Sequence, residues 1–128
     1  MTTATSTTSV TVRPMRGRDM LWIPRPKGHA LVAETTRGRI VGVTAYSMTP
    51  EGYAYGTAHE VHPDFRGRGI GDRLHGERLQ DAKKRGATHF VGSTTDPAMA
   101  RILEEWGGVK VDVKDEQGKD VYVNGLGG

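Results

Sequence analysis

The chain has 128 residues, 26% of them charged, and a formal net charge of +3 at neutral pH. That length fits one domain with one modest core, and no run of about 18 apolar residues suggests a membrane-spanning helix. Its zero cysteines exclude disulfides, thiolate metal sites and a cysteine nucleophile.

Met1 to Ser9 is rich in Thr and Ser and has neither a basic n-region nor an apolar h-region. It does not read as a secretory signal, so the expected location is cytoplasmic. Residues 1–8 read as a disordered tail and residues 9–128 as a single domain. Val10 and Val12 alternate with Thr11 and Arg13, the pattern of a first strand. Pro24, Pro26 and Gly28 then limit any helix in residues 16–28 to about two turns. Ala30 to Thr35 and Ile40 to Met48 read as the second and third strands, joined by a turn at Arg37-Gly38. Tyr53 to Val61 is the fourth. Strict alternation would put Tyr55, Thr57 and His59 on one face, and Ala54, Gly56, Ala58 and Glu60 on the other.

A helix follows over roughly Ile70 to Arg85, with Leu74, His75, Leu79 and Ala82 on one side and Gly86 as its stop. His75 reads as a core-edge histidine. Thr88 to Ser93 is a fifth strand. Asp96-Pro97 opens a second long helix, an acidic N-cap with proline at the first helical position. Met99, Ile102, Leu103 and Trp106 form its apolar stripe, and Gly107-Gly108 ends it. Val109 to Val113 and Val121 to Val123 read as a final hairpin.

Between the fourth strand and its helix lies Val61-His62-Pro63-Asp64-Phe65-Arg66-Gly67-Arg68-Gly69-Ile70-Gly71. Glycines let a backbone turn its N–H groups toward a ligand, and a helix N-terminus adds unsatisfied donors and partial positive charge. Arg66 and Arg68 add full charges, so a phosphate or pyrophosphate is the natural guest. A Walker A loop needs Gly-Lys-Ser/Thr, which is missing, and the Gly67-x-Gly69-x-Gly71 spacing is not that of a dinucleotide fingerprint.

Arg66-x-x-Gly69-x-Gly71 after Val61-His62-Pro63 resembles motif A of the GNAT acetyltransferase superfamily. The resemblance implies an α+β fold, a mixed and mostly antiparallel sheet in the order β-short α-β-β-β-α-β-α-β-β. It implies acetyl-CoA as co-substrate, with no metal. It places the pyrophosphate on Gly67, Arg68, Gly69, Ile70, Gly71 and Asp72, with Arg66 nearby. It lines the pantetheine with the backbone of His59, Glu60 and Val61, and points the Val61 N–H at the thioester carbonyl where the fourth and fifth strands splay. Asp96 stands where the family has an asparagine at the start of the last helix, and joins the cofactor-binding set.

Acyl transfer to an amine needs a base, an oxyanion donor and alignment of the two reactants. The base glutamate that some family members carry on the fifth strand is replaced by Val91. His59 and Glu60 are the remaining candidates. Histidine is better matched to neutral pH, and strict alternation groups it with Tyr55 and Thr57. Leu103 replaces the family's tyrosine acid. A metal held by His59 and His62 lacks a third ligand.

The leading expectation is an N-acetyltransferase acting on a primary amine, in a small molecule or a protein. The family's early helices are largely missing, which implies an open acceptor side or one completed by a second copy in a homodimer. Leu103 and Val91 motivate an alternative, a non-catalytic acyl-CoA-binding relic working through protein interaction. Residues 61–90 carry seven Lys/Arg against four Asp/Glu. That charge would also suit nucleic acid, but no aromatic stacking cluster or binding motif supports such a partner.

Overall fold

The computed structural model describes residues 9–127. The expected tail, residues 1–8, lies outside the described residues. Seven strands and two helices follow in the order β1 (Val10–Pro14), β2 (His29–Thr35), β3 (Ile40–Met48), β4 (Tyr53–Val61), α1 (Ile70–Lys84), β5 (His89–Thr94), α2 (Pro97–Glu105), β6 (Val109–Lys114) and β7 (Asp120–Gly125). They form one sheet in the spatial order β1-β2-β3-β4-β5-β7-β6. Only β4 and β5 run parallel; the other neighbours are antiparallel. This is the α+β architecture expected of the chain.

Both helices cover the same face. α1 buries Ile70 and Leu74 against Ala33 and Val41, and Leu79 and Ala82 against Tyr46, Ala54 and Phe90. These residues recur at helical spacing, so one stripe of α1 meets the flat sheet. A side chain such as Phe90 or Leu74, fully buried, contributes about 1.5–3 kcal/mol. Asp96 caps α2 by accepting from the Ala98 N–H at 3.0 Å.

Residues 15–28 depart from expectation: they contain no helix. Pro24 and Pro26 remove the donors a second turn needs, and the segment is pinned as a loop instead. Arg13 pairs with Asp19 and Glu34, both at 2.9 Å. Met15, Leu21, Trp22 and Ile23 then pack on Val32, Ile40 and Val43, on the sheet face opposite the helices.

β4 carries the feature that arranges the site. Ala45 opposes Ala58, whereas Tyr46 opposes Gly56, so Thr57 is the extra residue of a β-bulge. Before the bulge Ala54 faces α1, packed with Leu79 and Ala82. After it His59 and Val61 do: the His59 ring meets His75 of α1, and Val61 packs with Ile70 and Leu74. Glu60, opposite Val43, therefore lies on the open face. The strict alternation expected for β4 fails at one residue, and that residue exchanges the faces of His59 and Glu60.

Candidate active site

β4 and β5 pair only at Tyr53–His89, Ala54–Phe90 and Tyr55–Val91. Beyond Tyr55 the strands diverge and a wedge opens in the sheet. The His62 N–H is spent on Val41 O, at 2.8 Å. Alternate residues of an antiparallel strand turn their N–H groups to opposite sides, so Val61 turns its own toward the wedge.

The glycine loop sits at one mouth of the wedge. Gly69 is the N-cap of α1 at φ 80°, and no side chain caps the helix. The first N–H groups of α1 are left for a ligand. A side chain at Gly67 or Gly69 would meet no atom within 4 Å; the glycines serve backbone conformation there, since both have positive φ. Gly71 differs. It has no positive φ, and a Cβ there would lie 3.4 Å from His59 Nε2 and from Val61 Cγ2, an ordinary van der Waals contact.

A cleft of about 630 Å³ runs from this loop to α2, lined by His59, Glu60, Val61, Arg66, Gly67, Gly69, Ile70, Gly71, Asp72 and Asp96 among others. Ten of the eleven residues expected to bind the co-substrate thus line one cavity. Arg68 is the exception. Its guanidinium lies over the Phe65 ring, 4.9 Å from the centroid, and donates to Asp64 O at 3.2 Å. Arg66 Nε donates to Val61 O at 3.1 Å. Asp72 Oδ1 accepts from Trp106 Nε1 at 3.0 Å, tying the start of α1 to the end of α2.

Sequence reading missed the α2 wall of this cleft: Met99, Arg101, Ile102 and Glu105. The stripe of α2 was expected to be buried throughout. Only Leu103 is, at 3% exposure. α2 stands at the rim of the helix layer, so one flank of its stripe faces the cleft. Arg101 could have been found as a cation close to the Asp96 cap.

A second cleft, of about 450 Å³, continues through the wedge to the open face, lined by Gly56, Thr57, Ala58, Gly92, Ser93 and Leu103, and sharing His59, Glu60, Asp96 and Met99 with the first. The two form one passage through the sheet. A long ligand could enter by the helices, leave its head group at α1, and present its far end to the open face.

The two candidate bases sit differently in this passage. The His59 residue is partly exposed at the cleft, yet among the described residues its buried Nε2 has no hydrogen-bond partner. Its Nδ1 meets Thr44 Oγ1 at 3.0 Å. Burial first, and the Arg78 guanidinium second, push its pKa down to about 3, with the Gly71 backbone pulling weakly the other way. A base so depressed has little proton affinity at neutral pH. Glu60 is exposed and lies on the opposite face, at the mouth away from the helices.

Known proteins share the fold. The sequence pattern described as "Acetyltransferase (GNAT) family" matches residues 4–107. No curated protein matches in sequence. Among solved structures, an acyl-CoA N-acyltransferase candidate from Klebsiella pneumoniae superposes with a TM-score of 0.77 at 15% identity, covering 92% of this chain and 98% of that one. A GNAT family acetyltransferase from Elizabethkingia anophelis, with acetyl-CoA bound, gives 0.73 at 13% identity, over 91% and 97%. A streptothricin acetyltransferase candidate from Bacillus anthracis, in complex with acetyl coenzyme A, gives 0.67 at 20% identity, over 81% and 65%. Glycine loop, splayed strands and matched pattern agree, and the chain belongs to the GNAT acetyltransferase family.

Proposed function

We propose that the protein transfers an acetyl group from acetyl-CoA to a primary amine, by direct attack of the amine on the thioester. The observation that carries this reading is the single passage from the uncapped α1 N-terminus to the open face. The residues fit the co-substrate: free N–H groups at α1, the Arg66 and Arg101 side chains along the same cleft, and a wedge in the sheet for the thioester arm. When bound, acetyl-CoA supplies the activated acyl group.

The chain supplies the rest. The Val61 N–H turns into the wedge and suits a carbonyl oxygen that gains negative charge. Glu60 takes the proton of the attacking amine, directly or through one water, because it stands at the face from which the amine arrives. Leu103 offers no proton. The departing thiolate, with a pKa of about 8.5, needs little help. The loop of residues 15–28 replaces a helical wall and leaves the mouth open, which suits an extended amine such as a protein lysine or a polyamine.

A thiol-release assay with a panel of amines tests the reading. Wild type releases CoA thiol in an amine-dependent way, and Glu60→Gln loses about 10²-fold in kcat, the scale of a lost general base, with acetyl-CoA affinity within about threefold (well under 1 kcal/mol). Binding of acetyl-CoA without turnover on any amine would overturn the enzymatic reading. Full turnover by Glu60→Gln would remove Glu60 as the base.

A further inference from the structure

Arg78 projects from the buried face of α1 and is 3% exposed. Its Nη1 donates to both Ala45 O and Ala58 O, each at 3.1 Å. Its Nη2 lies 2.9 Å from His75 Nδ1, and its guanidinium stands 4.6 Å from the Phe90 ring centroid. Among the described residues no carboxylate pairs with it. A buried cation without an anion is a poor source of stability, and a methionine of similar volume would avoid its desolvation cost. What methionine cannot do is donate to two carbonyls at once.

Those two carbonyls belong to the cross-strand pair at the edge of the Thr57 bulge. A bulge disrupts the ladder locally and leaves main-chain groups in need of partners. Arg78 supplies donors to them from the helix side. On the other face the Thr57 hydroxyl donates to Lys27 O at 3.0 Å. The bulge is held from above and below.

We propose that Arg78 is a positioning residue for the transfer reaction: its guanidinium fastens the Thr57 bulge, and the bulge turns Glu60 to the open face while keeping His59 under α1. A register slip of one residue moves every side chain of a strand to the other face, so loss of the clip lets residues 58–61 sample the opposite presentation. The effect on turnover rests on the reading of Glu60 as base; the effect on the strand does not.

The chain has no cysteine, so a single introduced thiol reports which residue faces solvent. In the Arg78 background, the Glu60→Cys variant alkylates with a soluble maleimide at least ~10-fold faster than the His59→Cys variant, since one site is exposed and the other sits under α1. With Arg78→Met added to each, the ratio falls toward one, and Arg78→Lys, a point donor in place of a fork, restores part of it. In the cysteine-free chain, with an amine the wild type accepts, Arg78→Met lowers kcat by ~10²-fold with the KM for acetyl-CoA within about threefold, and Arg78→Lys regains part of the rate. A folded Arg78→Met protein with an unchanged labelling ratio overturns the proposal. So does a collapsed ratio with wild-type kcat. Should Arg78→Met fail to fold, Arg78→Lys decides: wild-type ratio and rate overturn the clip, intermediate values of both support it. If Glu60→Gln alone proves fully active, the base assignment falls, and the labelling ratio still tests the clip.

Discussion

Acid should unfold this protein earlier than its carboxylates alone would. His75 is 1% exposed, its Nε2 has no partner, and its Nδ1 faces the Arg78 guanidinium. Burial foremost, then Arg78 and His59, push its pKa far below the usual 6.5. His59 is pushed down as well, to about 3. A depressed histidine is neutral when folded and protonated when unfolded, so the unfolded chain binds more protons between the two pKa values. Stability is fully present above pH 6.5 and declines as pH falls toward 3. From pH 7 to pH 5 one such histidine withdraws about 2 kcal/mol, and two withdraw at most about 4 kcal/mol. His75 should approach the full value. His59 should give less, because part of its ring borders the open cleft. Asp19, held down from 3.8 to about 2 by Arg13, loses its contribution below pH 5 and leaves the measured range of pH 7 to 5 undisturbed. Urea unfolding at pH 7, 6 and 5 measures the slope, with the His59→Gln/His75→Gln double variant as control. Equal pH slopes in the wild type and a folded double variant would refute the argument.

Gly69→Val forces a β-branched residue to φ near 80° and should lower acetyl-CoA affinity at least ~10-fold by calorimetry, since the αL cap costs about 1–2 kcal/mol and the α1 N–H groups turn away. Leu103→Tyr should lower the unfolding free energy by about 1–3 kcal/mol, because Leu103 is 3% exposed and packs in the Phe90 cluster. A stable variant with faster turnover would instead put position 103 at the thiol. Asp96→Ala removes the cap bond to Ala98 N and should cost about 1 kcal/mol in urea denaturation.

The glycine loop was legible because its chemistry needs particular residues in an unbroken order. Strand and helix limits were legible for a related reason: the turn at Gly38, the Asp96-Pro97 start and the Gly86 stop are local signals. The face of His59 was not. Alternation along β4 predicts Tyr55, Thr57 and His59 together, and the bulge that breaks this is a property of how β4 pairs with β3, which no run of residues displays. Arg78 was hidden by its type. It stands four residues after Leu74 and four before Ala82, at the spacing of a buried stripe, yet an arginine there reads as a solvated charge. In residues 16–28 the two prolines, which in the sequence only limit a helix to about two turns, leave none.

The loop that replaces that helix is bound to the same bulge that Arg78 holds. Arg25 donates to Asp19 O at 2.9 Å and to Arg16 O at 2.7 Å, which closes the loop on itself. Arg13 anchors it through Asp19. Lys27 O then takes the Thr57 hydroxyl. The loop and the strand that carries Glu60 are therefore bonded to each other. The tie reaches β4 at Thr57, three residues before Glu60. On the proposed amine reaction, a mouth framed in this way sets part of the alignment before the amine arrives, and pre-set alignment is the contribution that would offset a missing proton donor at Leu103.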